Sequence, residues 1–378
     1  MNERRLREAL RDPALDDPAA RARAFAVVRA AYREREPEPA PRRWAPALAV
    51  VACLLAAAVI AASAGAPGDA VARWVRQVLG SEGQPHTRPA LVRVPGGGRL
   101  LVTAPGAVWA VAPDGSRRHL GNFDGASWSP RGLYAVAWRG GELLAVEPNG
   151  RVHWSLAREG TITAARWAPV DGYRIAYLSG ASLRIVNGDG TGDRRLAAAR
   201  RVAPAWRPDA GHVLAYVDAR GRVRVVAVDG GRELWRTGPH ARVFSLAWSP
   251  HGRRLVAATP RRLLVFARGG RLLAARRASA YDVAFSPHGR LAVVRRGGSG
   301  SEVVVGGRVL FRGPGRVGPI AWSPSGKRLL VPWPAADQWL FLDADGGRPA
   351  AVANIARQFA RGPRGGAFPR AVEWCCPR

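Results

Sequence analysis

The chain has 378 residues, 47% of them hydrophobic, and its 58 basic against 28 acidic side chains give a net charge of +30. Three cysteines exclude a fold that depends on a disulfide framework. The basic excess comes without a zinc-finger, helix-turn-helix or RNP-like signature, so we expect anionic lipid headgroups or anionic envelope polymers rather than nucleic acid as its counterpart.

Residues 1–43 are predicted to form a short helical segment in the cytoplasm. An apolar face recurs at helical spacing between residues 18 and 35, and Pro37, Pro39 and Pro41 end the pattern. The segment contains neither His nor Cys, which excludes a zinc-binding domain of the anti-sigma type. We expect a solvated lead-in to a membrane span, with binding of a cytoplasmic partner as the alternative.

Residues 44–66 are predicted to cross a membrane as a single helix. The stretch is apolar, rich in alanine and long enough for the hydrocarbon core of a bilayer. Arg42 and Arg43 precede it, and by the positive-inside tendency they place the N-terminus in the cytoplasm and the rest of the chain outside. An Ala-Gly-Ala sequence at its end leaves a cleaved signal peptide as the alternative. Residues 67–89 are predicted to form a juxtamembrane helix and a linker.

A short motif, an aromatic residue followed by Ser-Pro-x-Gly or a close variant, recurs six times in the remaining chain. Its aromatic residues are 37 to 42 positions apart. They are Trp128, Trp167, Trp206, Trp248, Phe285 and Trp322. A period near 40 residues with one strand–turn–strand signature in each unit is typical of a β-propeller.

The repeat at residues 245–274 illustrates how one blade is expected to form. Ser245–Trp248, Arg254–Ala258, Arg262–Phe266 and Arg271–Ala274 are predicted strands, and the intervening turns contain Pro and Gly. Four such strands make one blade. Because one blade cannot bury its own faces, the motif aromatic is predicted to fill the space between neighbouring blades as a structural anchor.

The two ends of the repeat region are predicted to share one blade. Arg99–Ala104 and Ala107–Val111 are strands with no motif before them, whereas a degraded copy of the motif surrounds Trp374. If the C-terminal strand is the inner strand of the first blade, residues 90–378 form a closed, all-β propeller of seven blades. A six-bladed ring is the alternative. The long interval before Trp374 predicts an insertion at residues 357–369.

The core of this repeat resembles that of the TolB family and its WD-like relatives. It is matched at Trp128-Ser129-Pro130, Trp248-Ser249-Pro250, Phe285-Ser286-Pro287 and Trp322-Ser323-Pro324. The resemblance covers residues 90–378 and implies a propeller of the bacterial envelope. It does not extend to the role of TolB in the Tol–Pal system, since the separate N-terminal α/β domain of TolB is missing. The arginine-rich composition and the predicted span indicate a membrane-anchored, actinobacterial relative.

No residue pattern indicates an enzyme, a metal site or a cofactor. The chain has no Gly-x-Ser-x-Gly nucleophile turn and no residues left to build a hydrolase domain. The seven histidines are scattered, and His251 and His288 occupy equivalent turn positions. Cys375 and Cys376 are adjacent, and free thiols or an intermolecular disulfide are as expected as the strained bond between neighbours.

A ligand site in a propeller lies at the mouth of the central channel, where the inner strands meet. Arg166, Asp282 and Glu373 are charged exceptions among the small and apolar residues of these strands. They are candidates for ligand binding by position, and the alternative is that they pair with one another across the channel.

Two functions follow as expectations. In the first, the propeller is a non-catalytic scaffold that binds an envelope protein or an anionic envelope polymer through its loops. In the second, it is a sensor that binds a small molecule or an anionic polymer at the channel mouth. The oligomeric state stays open.

Overall fold

The computed structural model describes residue 88 and residues 90–208, 211–240, 242–298, 300–361 and 366–376. The predicted cytoplasmic segment, the predicted span and most of the predicted linker lie outside these residues. Within the described part of the chain, no helix is long and apolar enough to cross a membrane. The described residues belong to one compact unit.

The described chain folds into seven antiparallel sheets of four strands, which we number as blades 1 to 7. From the inner to the outer strand, blade 1 contains β28 (Ala371–Cys375), β1 (Arg99–Ala104), β2 (Ala107–Val111) and β3 (Arg117–Gly121); blade 2 contains β4 (Gly125–Trp128), β5 (Ala135–Arg139), β6 (Glu142–Val146) and β7 (Val152–Ala157); blade 3 contains β8 (Ile162–Trp167), β9 (Arg174–Ser179), β10 (Ser182–Asn187) and β11 (Arg194–Ala198).

The remaining blades repeat this order. Blade 4 contains β12 (Ala205–Trp206), β13 (Val213–Val217), β14 (Arg222–Ala227) and β15 (Arg232–Pro239); blade 5 contains β16 (Ser245–Trp248), β17 (Arg254–Ala258), β18 (Arg262–Ala267) and β19 (Leu272–Arg277); blade 6 contains β20 (Ala280–Phe285), β21 (Leu291–Gly297), β22 (Gly300–Val305) and β23 (Arg308–Pro314); blade 7 contains β24 (Ala321–Trp322), β25 (Arg328–Trp333), β26 (Gln338–Asp343) and β27 (Ala350–Val352).

The ring is closed by strands from both ends of the repeat region. β28 pairs antiparallel with β1, so that Trp374 lies opposite Leu100 and Glu373 lies opposite Leu101. The all-β, seven-bladed propeller expected from the repeats is therefore confirmed, and the six-bladed alternative is wrong. Closure in this manner places the two ends of the repeat region inside one sheet, where the hydrogen bonds of the ladder hold them together.

The motif turns are held by a repeated hydrogen bond. In blades 2, 5, 6 and 7 the motif serine accepts a hydrogen bond from the backbone N–H at or just before the start of the second strand, at 3.0–3.1 Å. The motif glycine adopts a positive φ, for example +63° at Gly132, which favours glycine over residues with a side chain. We call the end of the propeller that carries these turns the motif-turn face.

Seven apolar clusters fill the spaces between neighbouring blades in the described chain, and each contains one motif aromatic. Trp128 packs against blade 1, for example, and Trp374 packs against blade 7. Six of these aromatic side chains are buried, and Phe285 is half-buried. The core therefore lies between the blades rather than within any one of them, which makes each blade dependent on its neighbours.

A short helix, α1 (Ile355–Gln358), lies in the connection between β27 and β28. Ile355 is buried and belongs to the cluster between blades 7 and 1. The Gln358 side chain accepts a hydrogen bond from the backbone N–H of Leu91 at 2.9 Å. This connection therefore attaches the start of the described chain to the closing blade.

Candidate functional site

The inner strands of the seven blades line the central channel, and three of them carry the charged residues predicted as a site. Arg166 lies on β8 in blade 3, Asp282 on β20 in blade 6 and Glu373 on β28 in blade 1. All three side chains are partly buried. The inner strands thus bring together charges that are about 90 to 200 residues apart in the sequence.

Arg166 and Glu373 form an ion pair across the channel. The guanidinium Nη1 of Arg166 lies 3.1 Å from Oε1 of Glu373. The same nitrogen donates a hydrogen bond to the backbone carbonyl of Ala165 at 2.9 Å. The second carboxylate oxygen of Glu373 accepts the backbone N–H of Trp128 in blade 2 at 2.9 Å. Each charge is consequently held by groups within the ring.

Asp282 lies among three neighbouring blades. Its carboxylate accepts backbone N–H groups from Val283 at 2.9 Å and from Ile320, just before β24, at 3.0 Å. The Ser245 hydroxyl on β16 also hydrogen-bonds to it. Burial raises the pKa of the Asp282 carboxyl from 3.8 to about 6, because removal from water disfavours the charged form. The hydrogen bonds and the nearby Arg166 guanidinium act in the opposite direction but do not offset burial.

Glu373 and Asp282 share one geometric role. Each accepts a backbone N–H from the inner strand region of the next blade, Trp128 in blade 2 and Ile320 in blade 7. An anionic ligand that bound Arg166 in the channel would compete with Glu373 for the guanidinium. The arrangement is therefore suited to fixing the inner strands, and any ligand must displace an existing ion pair.

Two of the motif tryptophans link neighbouring blades through their indole nitrogens. Nε1 of Trp206 in blade 4 donates to the Arg166 carbonyl in blade 3 at 2.8 Å, and Nε1 of Trp322 in blade 7 donates to the Ala284 carbonyl in blade 6 at 3.1 Å. The acceptor is in both cases the residue before the aromatic of the preceding blade. These contacts give the motif aromatic a polar role beside its packing.

Sequence reasoning did not identify a histidine cluster on the motif-turn face of blades 3 and 4. The two ring nitrogens of His212 lie 2.5 Å from Asp229 Oδ2 and 2.8 Å from Asp171 Oδ2. Arg174 donates to the other oxygen of Asp229 at 3.0 Å. The cluster borders a cavity of about 70 Å³ that is also lined by Trp206. Because Asp171 and His212 belong to different repeats, no local spacing could have indicated the contact.

The adjacent cysteines are joined to each other. A disulfide links Cys375 and Cys376 at the end of β28. A Cβ atom at Gly132 would lie 2.3 Å from the Cys376 sulfur, so the disulfide packs directly on the motif turn of blade 2. The structure thus selects the vicinal disulfide, which the sequence had left as one of several states.

The buried charge of Asp282 predicts a pH-dependent stability. A folded-state pKa of about 6 means that the folded protein binds a proton more readily than the unfolded chain, whose pKa is near 3.8. The contribution of Asp282 to stability is therefore present below pH 3.8 and is lost as the pH rises through 6. Relative to Asp282→Asn, the wild type should lose about 3 kcal/mol between these limits.

Chemical denaturation of both proteins across this pH range measures the difference. Asp345→Asn is the matched control, because the Asp345 side chain is 73% exposed and pairs with Arg290 on the surface. A difference between wild type and Asp282→Asn that does not change with pH would show that the carboxyl ionises in the folded protein as it does in water.

Comparison with known proteins does not place the chain in a family. No family model and no curated protein sequence matches the chain. Among solved structures, hydrazine synthase from Kuenenia stuttgartiensis is similar over 58% of this chain and 76% of its own, with 17% identity and a TM-score of 0.48. A likeness at this identity concerns the fold alone, since one propeller fold serves many functions.

Proposed function

We propose that this protein is a membrane-anchored, non-catalytic scaffold of the bacterial envelope that binds a protein partner through the motif-turn face. In this proposal residues 44–66 span the membrane, residues 1–43 lie in the cytoplasm and the TolB-like, actinobacterial propeller lies outside. The observation that carries the proposal is a set of exposed apolar side chains on two adjacent motif turns. Leu133 in blade 2 and Val170 and Tyr173 in blade 3 are all exposed there.

These turns form a continuous surface. A Cβ atom at Gly172 in blade 3 would lie 3.2 Å from the ring of Pro130 in blade 2, so the two turns touch. The cavity beside Trp206 and His212 continues the surface toward blade 4. Exposed apolar residues beside a shallow cavity and a polar rim are a common form of protein-binding surface.

The charged side chains of the channel support the same proposal, because they already have partners within the ring. Arg166, Glu373 and Asp282 already contact one another or the backbone of neighbouring blades. A ring whose inner charges hold its own strands is a rigid support for binding on its outside. We therefore assign the Arg166–Glu373 ion pair to stability and the loops to recognition.

Photo-crosslinking in host cells tests this surface in the full-length chain. A benzophenone amino acid at Val170 should give a discrete crosslinked protein, because the position lies at the centre of the proposed interface. A second substitution, Leu133→Glu, should abolish that crosslink by placing a charge on the apolar surface. Val152→Glu is the matched control, since Val152 is similarly exposed but lies on the outer strand β7.

The outcome separates binding from accidental proximity. A crosslink that is unaffected by Leu133→Glu, or that is lost equally with Val152→Glu, contradicts binding through the motif-turn face. Protease added to intact cells tests the placement, because an anchored propeller outside the membrane is degraded while a cytoplasmic one is protected.

The convergence of three charged side chains in one channel favours a second candidate, a sensor that binds a small molecule or an anionic polymer at the channel mouth. Arg166 is the cation that an anionic ligand would take from Glu373. A thermal-shift screen of small anions should then find a ligand whose stabilisation saturates and is lost in Arg166→Ala. Stabilisation that persists in this variant would exclude the channel as the site.

A further inference from the structure

Blade 5 carries a charge distribution that differs from that of every other blade. Between Glu233 and Asp282 the sequence contains no acidic residue. The same interval contains nine arginines in blade 5 and its preceding loop, all of them exposed: Arg242, Arg253, Arg254, Arg261, Arg262, Arg268, Arg271, Arg276 and Arg277. Every other blade includes acidic side chains of its own. Nine of the thirty net positive charges of the protein therefore lie at this blade.

With the exception of Arg268, these arginines form no ion pair with the described carboxylates of the neighbouring blades. Glu233 in blade 4 pairs with Arg224 and Arg236 of the same blade. Glu302 in blade 6 pairs with Arg295 and Arg312 of its own blade. Arg268 has a partner, and none of the other eight arginines of blade 5 forms an ion pair within the described part of the chain.

The outer strand of blade 5 adds an apolar element to this cationic surface. Leu272 and Leu273 on β19 are 52% and 43% exposed. The register between β18 and β19 shifts between Val265 and Phe266, where Leu273 is the additional residue. Such a bulge allows two consecutive side chains to project away from the sheet instead of alternating between its faces.

Arginines lie at both ends of this exposed strand. Arg271 immediately precedes Leu272, and Arg276 and Arg277 end the strand. Arg262 lies opposite Arg277 in the adjacent strand β18. The edge of blade 5 is thus a strip of about 20 Å, from six residues at about 3.3 Å each, with leucines near one end and cations at both.

We propose that the edge of blade 5 is a docking surface for an anionic lipid bilayer, with Leu272 and Leu273 entering the headgroup region and the arginines pairing with lipid phosphates. A bilayer offers phosphates over an area as wide as the blade and an apolar layer beneath them, which matches cations spread around a pair of leucines. In its cellular setting this docking rests on the proposed membrane attachment of the chain.

An acidic protein is a weaker match to the same surface. In protein interfaces, complementary charges on the two surfaces define one relative position of the partners, and each surface commonly carries both positive and negative charges. Blade 5 presents one sign only, at both ends of the strands and along the outer edge. This pattern requires a negatively charged partner but does not define one docking position on it, as expected for a fluid lipid surface.

Hydrogen exchange of the full-length chain with vesicles tests the proposal. Vesicles of phosphatidylcholine alone are compared with vesicles that also contain phosphatidylglycerol. We expect exchange in β19 to slow by about tenfold in the anionic vesicles and to return to the phosphatidylcholine rate in high salt. The double variant Arg276→Gln/Arg277→Gln should lose this protection while its exchange elsewhere stays unchanged.

The outer strand β7 of blade 2 is the internal control, because it has an exposed valine but lies beside the Glu147–Arg151 pair. Equal exchange of β19 in both lipids, or protection that survives in the double variant, overturns the proposal. Protection by soluble glycerol phosphate as strong as by vesicles also overturns it. Flotation of the full-length chain with vesicles separates this proposal from the proposed membrane span. A chain that floats with anionic vesicles but not with phosphatidylcholine vesicles has no span but retains the blade 5 contact.

Discussion

Replacing Trp374 with alanine is expected to lower the free energy of unfolding by about 3–5 kcal/mol. Trp374 is buried on the strand that closes the ring, edge-on to Phe341 at 5.7 Å between ring centroids. Its Nε1 donates to the Gly97 carbonyl at 2.8 Å. The substitution leaves a cavity between blades 7 and 1 and weakens the one sheet that joins both chain ends. Chemical denaturation followed by circular dichroism measures the loss.

Trp154→Ala is the matched control for this prediction. Trp154 is half-buried on the outer strand β7 and also donates its Nε1 to a carbonyl, that of Gly188, at 2.9 Å. We expect it to cost about 1–2 kcal/mol, since it lies far from the closure and is partly solvated. Equal losses in the two variants would mean that the closing strand contributes no more than an ordinary outer strand.

Asp193→Asn is expected to cost about 3–5 kcal/mol at neutral pH. The Asp193 side chain is 5% exposed and forms ion pairs with Arg158 and Arg184. The Tyr177 hydroxyl donates to it at 2.5 Å. An uncharged amide keeps the shape of the residue but leaves two partly buried guanidinium groups without their anion. Removing one partner of a buried ion pair is costly because the remaining charge is no longer compensated.

The pH dependence of this cluster has the opposite sign to that of Asp282. Burial raises the pKa of Asp193, but hydrogen bonds from Arg184, Tyr177 and Arg158 outweigh burial and bring the pKa below 3.8. The contribution of Asp193 is therefore present above pH 3.8 and is lost as the pH falls through the folded-state pKa. Burial also raises the pKa of the Tyr177 hydroxyl to about 12, so the tyrosine stays a donor throughout.

Asp189→Asn tests whether the effect belongs to the cluster. Asp189 lies in the same hairpin turn and accepts the Thr191 backbone N–H at 2.9 Å, a contact that Asn149 makes in blade 2 with Arg151. Because asparagine can keep this bond, we expect a change below about 1 kcal/mol. Denaturation at pH 7 and near pH 3 compares the two variants, and equal stability of both at pH 7 would show that Asp193 is not an essential counterion.

Blade 5 illustrates how much of the fold the sequence predicts. β16 and β17 have the predicted bounds, β18 extends one residue further, and β19 begins one residue and ends three residues later than predicted. Strand bounds are predictable here because each hairpin is local and its turn residues have strong preferences. The extra length of β19 could not be predicted, since its exposed Ala and Arg residues carry no periodic signal.

The channel illustrates the limit of the same reasoning. Position in the repeat selected Arg166, Asp282 and Glu373 as candidates, and the structure places them on the inner strands β8, β20 and β28. Position in the repeat did not decide which of them pair, because Arg166 and Glu373 are brought within 3.1 Å only by closure of the whole ring. The two acceptor roles of Glu373 and Asp282 likewise depend on backbone groups of the next blade.

The sequence by itself determined the repeating blade and its strand order, and it predicted seven blades closed by the C-terminal strand with six blades as the alternative, because each repeat encodes its own hairpins and packs only on its neighbours. Tertiary structure alone decided the contacts between repeats. It placed His212 between Asp171 and Asp229, and, with the exception of Arg268, it left the arginines of blade 5 without ion pairs in the described part of the chain. Such contacts depend on distances across the ring, and neither periodicity nor composition contains those distances.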